Sequence, residues 1–278
     1  FGDKRIIETP MAENGLTGLA VGAAMNGMRP IVEYMTWNFS LVCIDQIVNN
    51  AAKMYNMSGG QLNIPIVFRG GTGAAGQLGA THSQDFSNWY ANCPGLKVVQ
   101  PSNPKDAKGL LKAAIRDNDP VLFMESEQMY GDKGEVPEGE YIIPIGVADV
   151  VKEGKDLTIV SFGKMMKIVN AAAEELAKEG INAEVIDLRS LRPIDYDTII
   201  NSVKKTNRMV FVEESWPLGS FSTELTFKVQ QNAFDYLDAP VARVTGADVP
   251  MSFSVPLIEA YMPNVDKVIK AAKKVLYR

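Results

Sequence analysis

A single histidine, His82, and two cysteines, Cys43 and Cys93, are the only residues of those types in the 278-residue chain. So few imidazoles and thiols argue against a multi-histidine or cysteine-rich metal centre, and no second His or Cys sits at ligand spacing from His82. Both cysteines lie in apolar or aromatic stretches, which reads as packed thiols in a reducing compartment rather than a disulfide scaffold. A basic excess is also missing: 28 Lys and Arg stand against 33 Asp and Glu, for a net charge of −5. Without a basic field to gather phosphates, nucleic acid and anionic membranes are not expected partners. Long hydrophobic runs are absent as well. The most apolar stretch, residues 31–44, is broken by Glu33 and Asn38 and falls short of the roughly 20 residues a membrane span needs. The chain opens on Phe1 with neither Met nor a leader, so a processed or missing N-terminal part is expected.

What is present has the grammar of an α/β protein. The length suits two domains of about 100 to 150 residues, and 46% apolar with 22% charged residues is ordinary for a globular chain. Short β-rich runs at residues 64–68, 96–99, 121–125, 157–162, 183–188, 209–213 and 241–245 read as buried strands. Residues 103–116, 164–179 and 220–234 have helical spacing, so strands and helices alternate as in a parallel sheet. Gly180 supplies a stop after the second of these helices. Between residues 130 and 156 glycines, prolines and charges mark a surface linker and an edge segment, which puts a domain boundary near 145.

Three features could carry chemistry. Gly71, Gly73 and Gly76 fit G-x-G-x-x-G after the run IPIVFR, where a dinucleotide fingerprint would sit. The continuation QLGATHSQDF has no apolar helical stripe, however, and no acid closes the next strand, so the expected role is a backbone that approaches something closely. His82 stands in a polar loop, where an imidazole can move protons near neutral pH or simply be solvated. Glu13 opens a helix thinned by Gly15, Gly18 and Gly22. The helix dipole alone accounts for the acid, but three glycines within eight residues imply that close packing offsets their cost of about 1 kcal/mol each.

The blocks ETPMAENGLTGLAVGAAMNGMRPIVEYM, IDQIVNNAAKMYNMSGGQLNIPIVFRG, HSQDFSNWYANCPGLKVVQPSNPKDAKGLL and VFVEESWPLGSFSTEL, in that order, resemble the beta subunits of thiamine-diphosphate-dependent 2-oxo acid dehydrogenases over essentially the whole chain. EYMTWNFSLVCIDQ and FSNWYANCPG are similar to the pyruvate-specific branch. The resemblance implies a pyrimidine-binding transketolase-like domain at 1–145 and a transketolase C-terminal-like domain at 146–278. It also implies an α2β2 heterotetramer in the mitochondrial matrix or bacterial cytoplasm, with thiamine diphosphate shared between subunits. Mg2+ would be held by the alpha subunit, because the diphosphate-binding GDG string does not occur here. By the same resemblance Glu13 hydrogen-bonds the pyrimidine ring, and Met35 and Phe39 line it. His82 serves transfer of the acetyl group to the lipoyl arm of the dihydrolipoyl acetyltransferase core. Ile66, Ala114, Ile115, Asp117 and Asp119 match potassium-binding positions. Ser215 departs from the glycine common in the matching EEGW block. The alternatives are a branched-chain or acetoin dehydrogenase beta subunit, an NAD-binding dehydrogenase built on the glycine loop, and a non-catalytic scaffold subunit.

Overall fold

The computed structural model describes residues 1–278. Ten strands, β1 (Ile31–Thr36), β2 (Val67–Gly71), β3 (Lys97–Val99), β4 (Val121–Glu125), β5 (Asp149–Lys152), β6 (Leu157–Ser161), β7 (Ala183–Asp187), β8 (Ser190–Arg192), β9 (Met209–Val212) and β10 (Ala242–Val244), form two five-stranded sheets in the orders β1-β2-β4-β3-β8 and β10-β9-β6-β7-β5. Each sheet is parallel except for one antiparallel edge strand, β8 in the first and β5 in the second. The helices are α1 (Glu13–Met25), α2 (Met54–Met57), α3 (Ser87–Ala91), α4 (Pro104–Arg116), α5 (Met165–Lys178), α6 (Tyr196–Thr206), α7 (Phe221–Ala233), α8 (Val255–Tyr261) and α9 (Val265–Val275). No helix is long and apolar enough to cross a membrane.

Local sequence explains the main elements. Asn103 caps α4 by accepting from Asp106 N at 2.8 Å, with Pro104 in the first turn, and Gly180 leaves α5 with φ +79°. The central strands β4, β6, β7 and β9 are buried on both faces and rich in Val and Ile, as parallel strands covered by helices require. By contrast β1 is an edge strand whose residues alternate exposed and buried, so Ile31, Glu33 and Met35 face outward.

The halves share their largest core. Phe68, Tyr90 and Met124 pack in one cluster with Val160, Phe211 and Phe221. Within it Tyr34, Trp37 and Tyr90 are fully buried, with neighbouring ring centroids 5.4 Å apart. Each such ring contributes about 1.5–3 kcal/mol by burial. Strand β8 comes from the second half of the sequence yet pairs with β3, so the first sheet is completed by residues beyond 146.

The turn into β8 carries a buried ionic network. Arg189 adopts φ 56° and reaches Asp106 of α4 at 2.9 Å and Asp149 of β5 at 2.5 Å. Beside it Asp187, wholly buried, accepts from Ser102 Oγ and from Arg189 N at 3.0 Å. Burial pushes its carboxyl up to about 7, aided by the Asp106 charge and opposed by those hydrogen bonds. An unfolded aspartate releases its proton near pH 4, so between about pH 4 and 7 the folded chain holds a proton that the unfolded chain has lost. The stability this group contributes is therefore full below about pH 4 and declines, by on the order of 4 kcal/mol, as pH rises through 7. Asp187→Asn removes that proton. Urea midpoints of the variant should fall less steeply between pH 4.5 and 8 than those of the unaltered chain, and parallel curves would contradict the assignment.

Candidate active site

The first residue of α1 is Glu13. Only residues 26–30 separate α1 from β1, so the helix runs back over its strand and places Glu13 above the carboxyl end of β1. A hydrogen bond of 2.8 Å between Thr17 Oγ1 and Tyr34 OH, both buried, fixes that register one turn into the helix. Glu13 is half-buried, and none of the chain's ion pairs or hydrogen bonds engages its carboxylate.

Met35 follows Tyr34 and is 70% exposed. The chain then tightens into the 3-10 segment Trp37–Cys43, started by the Thr36 side chain accepting from Asn38 N. Phe39, in that segment, meets His82 edge to face with ring centroids 5.4 Å apart. His82 ends a short 3-10 turn in the loop after β2, with Nδ1 3.0 Å from Thr81 Oγ1. Asn38 Oδ1 joins the two segments by accepting from Gln84 N and Nε2 at 3.2 Å. Glu13, Met35, Phe39 and His82, expected from the sequence, thus gather at the carboxyl ends of neighbouring parallel strands, the ligand-binding edge of open α/β sheets.

Beside them lies a charged row that the sequence reading did not single out. Arg69 of β2 donates to Glu33 of β1 at 3.1 Å and to both Glu125 oxygens at 2.8 and 2.9 Å, and Tyr130 OH donates to Glu125 at 2.8 Å. The Glu125 hydrogen bonds hold Arg69 firmly charged, and burial keeps Tyr130 neutral. The three strands register here, Glu33 on Arg69 and Gly71 on Glu125.

The glycine loop contains no helix before residue 80, so the geometry of a dinucleotide fingerprint is not met. The close approach expected of it is real, and the approaching group belongs to the second half. Gly73, at φ +71°, lies against the Glu214 carboxylate, and Gly79, at φ +78°, against the Phe253 ring; a Cβ at either position would clash. Glu214 pairs with Lys164 at 2.8 Å, both side chains 4% exposed. Burial raises the Glu214 carboxyl and Lys164 opposes the shift; burial likewise raises Asp85, which accepts from Ser87 N at 2.9 Å and Thr72 Oγ1 at 3.3 Å. Strand-end position was the available signal, because Lys164 and Glu214 lie within three residues of the ends of β6 and β9. Ser215, in place of the expected glycine, donates to Glu213 at 2.7 Å, and Glu213 accepts from Phe221 N and Ser222 N at the start of α7.

The remaining expected residues converge elsewhere, at the amino ends of β2 and β4. Ile66 O accepts from Val121 N and Ala114 O from Asp117 N. Arg29 donates to Ile115 O at 3.1 Å and Asp117 O at 2.8 Å. Lys97 pairs with the carboxylates of Asp117 at 2.7 Å and Asp119 at 3.0 Å. One protein cation, Lys97, holds both carboxylates, and Arg29 takes the Ile115 and Asp117 carbonyls, so a carboxylate-held potassium ion does not fit. Only the free lone pairs of the backbone carbonyls remain for one.

Comparison with known proteins covers the same ground. The transketolase pyrimidine binding domain matches residues 1–133 and the transketolase C-terminal domain residues 146–268. The chain is 53% identical over 279 residues to the pyruvate dehydrogenase E1 component subunit beta of Rhizobium meliloti, spanning all of this chain and 61% of that protein. It is 51% identical over 282 residues to the mitochondrial subunit beta-2 of Oryza sativa subsp. japonica, spanning all of this chain and 75% of that one. The mitochondrial subunit beta of Caenorhabditis elegans is 51% identical, with 99% of this chain and 80% of that one covered. Among solved structures, a chain named "Split gene transketolase, inactive beta4 tetramer" superposes with a TM-score of 0.80 at 26% identity, over 99% of this chain and 84% of that one.

Gly73 offers a direct check on the loop geometry. Gly73→Ala forces a side chain into the left-handed region and against a buried carboxylate, and should cost about 2–4 kcal/mol. Gly131→Ala, with nothing within 4 Å of the added methyl, should change stability by less than about 0.5 kcal/mol. Equal urea midpoints for the two variants would refute the close approach.

Proposed function

The chain belongs to the pyruvate dehydrogenase E1 beta-subunit family, built from transketolase domains, and on that premise we propose that it forms half of the active site of a pyruvate dehydrogenase. The observation that carries the reading is the gathering of Glu13, Met35, Phe39 and His82 at one sheet edge, with the acid unpartnered and the methionine bare. These residues fit the aminopyrimidine part of thiamine diphosphate, which needs one carboxylate for a ring nitrogen and an apolar face for the ring. When bound, the cofactor supplies the nucleophilic carbon and the electron sink for loss of carbon dioxide from a 2-oxo acid. Glu13 holds a proton between its carboxylate and the pyrimidine nitrogen. Met35 and Phe39 seat the ring against polarisable and aromatic surface and keep water from the Glu13 hydrogen bond. His82, oriented by Phe39, donates a proton to the lipoyl sulfur released when the acetyl group passes to the lipoyl arm of the acetyltransferase.

No group of three His, Cys, Asp or Glu side chains is placed to hold a metal ion, and no GDG string occurs, so the diphosphate and Mg2+ are assigned to an alpha subunit in an α2β2 assembly. The structural neighbour's printed name, an inactive beta4 tetramer, supports the view that this chain alone is inactive. Mitochondrial and bacterial relatives support a mitochondrial matrix or bacterial cytoplasmic location.

The test is reconstitution with an alpha subunit. Glu13→Gln should lower pyruvate decarboxylation about 10²-fold or more, whereas full activity would leave a scaffold role. His82→Ala should slow lipoyl acetylation at least about tenfold more than decarboxylation read with an artificial acceptor, and equal losses would remove the role given to His82. Turnover of branched-chain oxo acids or acetoin above pyruvate would reassign the substrate. The glycines of α1 give a separate readout. A Cβ at Gly22 meets nothing within 4 Å, so Gly22→Ala should stabilise the isolated chain by about 1 kcal/mol. If this helix packs on a partner, the same change should weaken assembly, measured by sedimentation; unchanged assembly would place the alpha subunit elsewhere.

A further inference from the structure

The second domain reaches the His82 loop at one peptide. Ala74 N donates to Glu214 Oε2 at 3.1 Å, and Ala74 O accepts from Lys164 Nζ. The two side chains pair with each other at 2.8 Å, so a buried ion pair from the ends of β6 and β9 occupies both polar groups of a single residue in the loop after β2. Loop peptides ordinarily exchange their hydrogen bonds with water, while this one is bonded to both members of a buried ion pair.

From Ala74 the restraint passes to His82 by short steps. Gly73 N donates to Gln84 O at 3.1 Å, tying the outgoing and returning limbs together. Gln77 Nε2 donates to Phe253 O at 2.9 Å, a second anchor on the second domain. Asp85 closes the base through Thr72 and Ser87. His82 therefore rides on a loop whose outgoing limb is fixed by the C-terminal domain and whose return is fixed by the first. We propose that Lys164 and Glu214 are positioning residues for His82: the buried pair sets the loop so that the imidazole stands at Phe39, giving the second domain a part in acyl transfer. This rests on the role given to His82 above.

The test uses the reconstituted tetramer. Glu214→Gln strands the Lys164 charge and can harm folding, so the double variant Lys164→Met/Glu214→Gln, which removes both charges, is made beside it. Hydrogen–deuterium exchange of residues 72–87 is read first, without turnover. Exchange at Ala74 and its neighbours should rise at least tenfold in both variants. Lipoyl acetylation should then fall about tenfold, through kcat rather than KM for the lipoyl domain, while decarboxylation with an artificial acceptor changes less than about threefold. In a His82→Ala background the double variant should add no further loss of acetylation. Unchanged exchange, or losses that multiply with His82→Ala, would overturn the proposal. A His82→Ala variant that slows both reactions alike would instead strike the reading of His82, and the exchange data would keep the two failures apart.

Discussion

The two sheets meet through the carboxyl ends of their parallel strands, and most of the chemistry of the molecule follows from that seam. Residues that leave β2 and β3 touch residues that leave β6, β7 and β9: Ala74 with Lys164 and Glu214, Ser102 with Asp187. In a parallel sheet the helices return to start their neighbours, so helix amino ends collect at the same edge as strand carboxyl ends. Their partial positive charge favours anions there. Asp106 in the first turn of α4 and Glu213 at the start of α7 occupy such ends. The seam is accordingly rich in carboxylates, and burial raises Asp85, Asp187, Glu213 and Glu214 together.

That concentration of acids has a structural consequence. Two buried carboxylates, Asp85 and Glu214, share the one ammonium of Lys164, and burial raises both carboxyls while Lys164 opposes it, the same direction as at Asp187. Glu13 stands apart from this group. It opens α1, which is registered on Tyr34 of the outer edge strand β1, and the next residue of that strand, Met35, is exposed. One edge of the first sheet therefore divides into a closed part facing the second domain and an open part facing outward, and His82 lies in the loop that bridges them.

Much of this was legible in the sequence where the cause is local. The β4 run was read at its observed bounds, 121–125, because an unbroken apolar strand has no competing interpretation once proline precedes it. The helical spacing of residues 103–116 marks α4, and the structure adds that Asn103 is its cap. Strand β1 is hidden in the sequence because residues 31–44 look like one apolar run broken by Glu33 and Asn38, whereas the outward Glu33 reflects an edge strand with alternating exposure. Strand β8 is three residues long and depends on Arg189 in a left-handed conformation held by Asp106, 83 residues earlier. Partners so distant leave no mark on local periodicity. The Lys164–Glu214 pair escaped for the same reason: separately they are a lysine before a helix and an acid in a loop, and only the fold makes them one group.

The glycine loop shows how a pattern can be physically informative and chemically misleading at once. G-x-G-x-x-G marks places where the backbone needs a left-handed turn or room for a close neighbour, and both hold at Gly73. In a dinucleotide site the close neighbour is a pyrophosphate held on helix amides. Here it is the Glu214 carboxylate, also an oxyanion, but supplied by the same chain and already neutralised by Lys164. The distinction rests on whether a helix follows to present several amides. Without one, a single backbone N–H, that of Ala74, meets the anion, which suffices to fix a loop against a charged side chain but leaves a mobile phosphate without the convergent donors it needs.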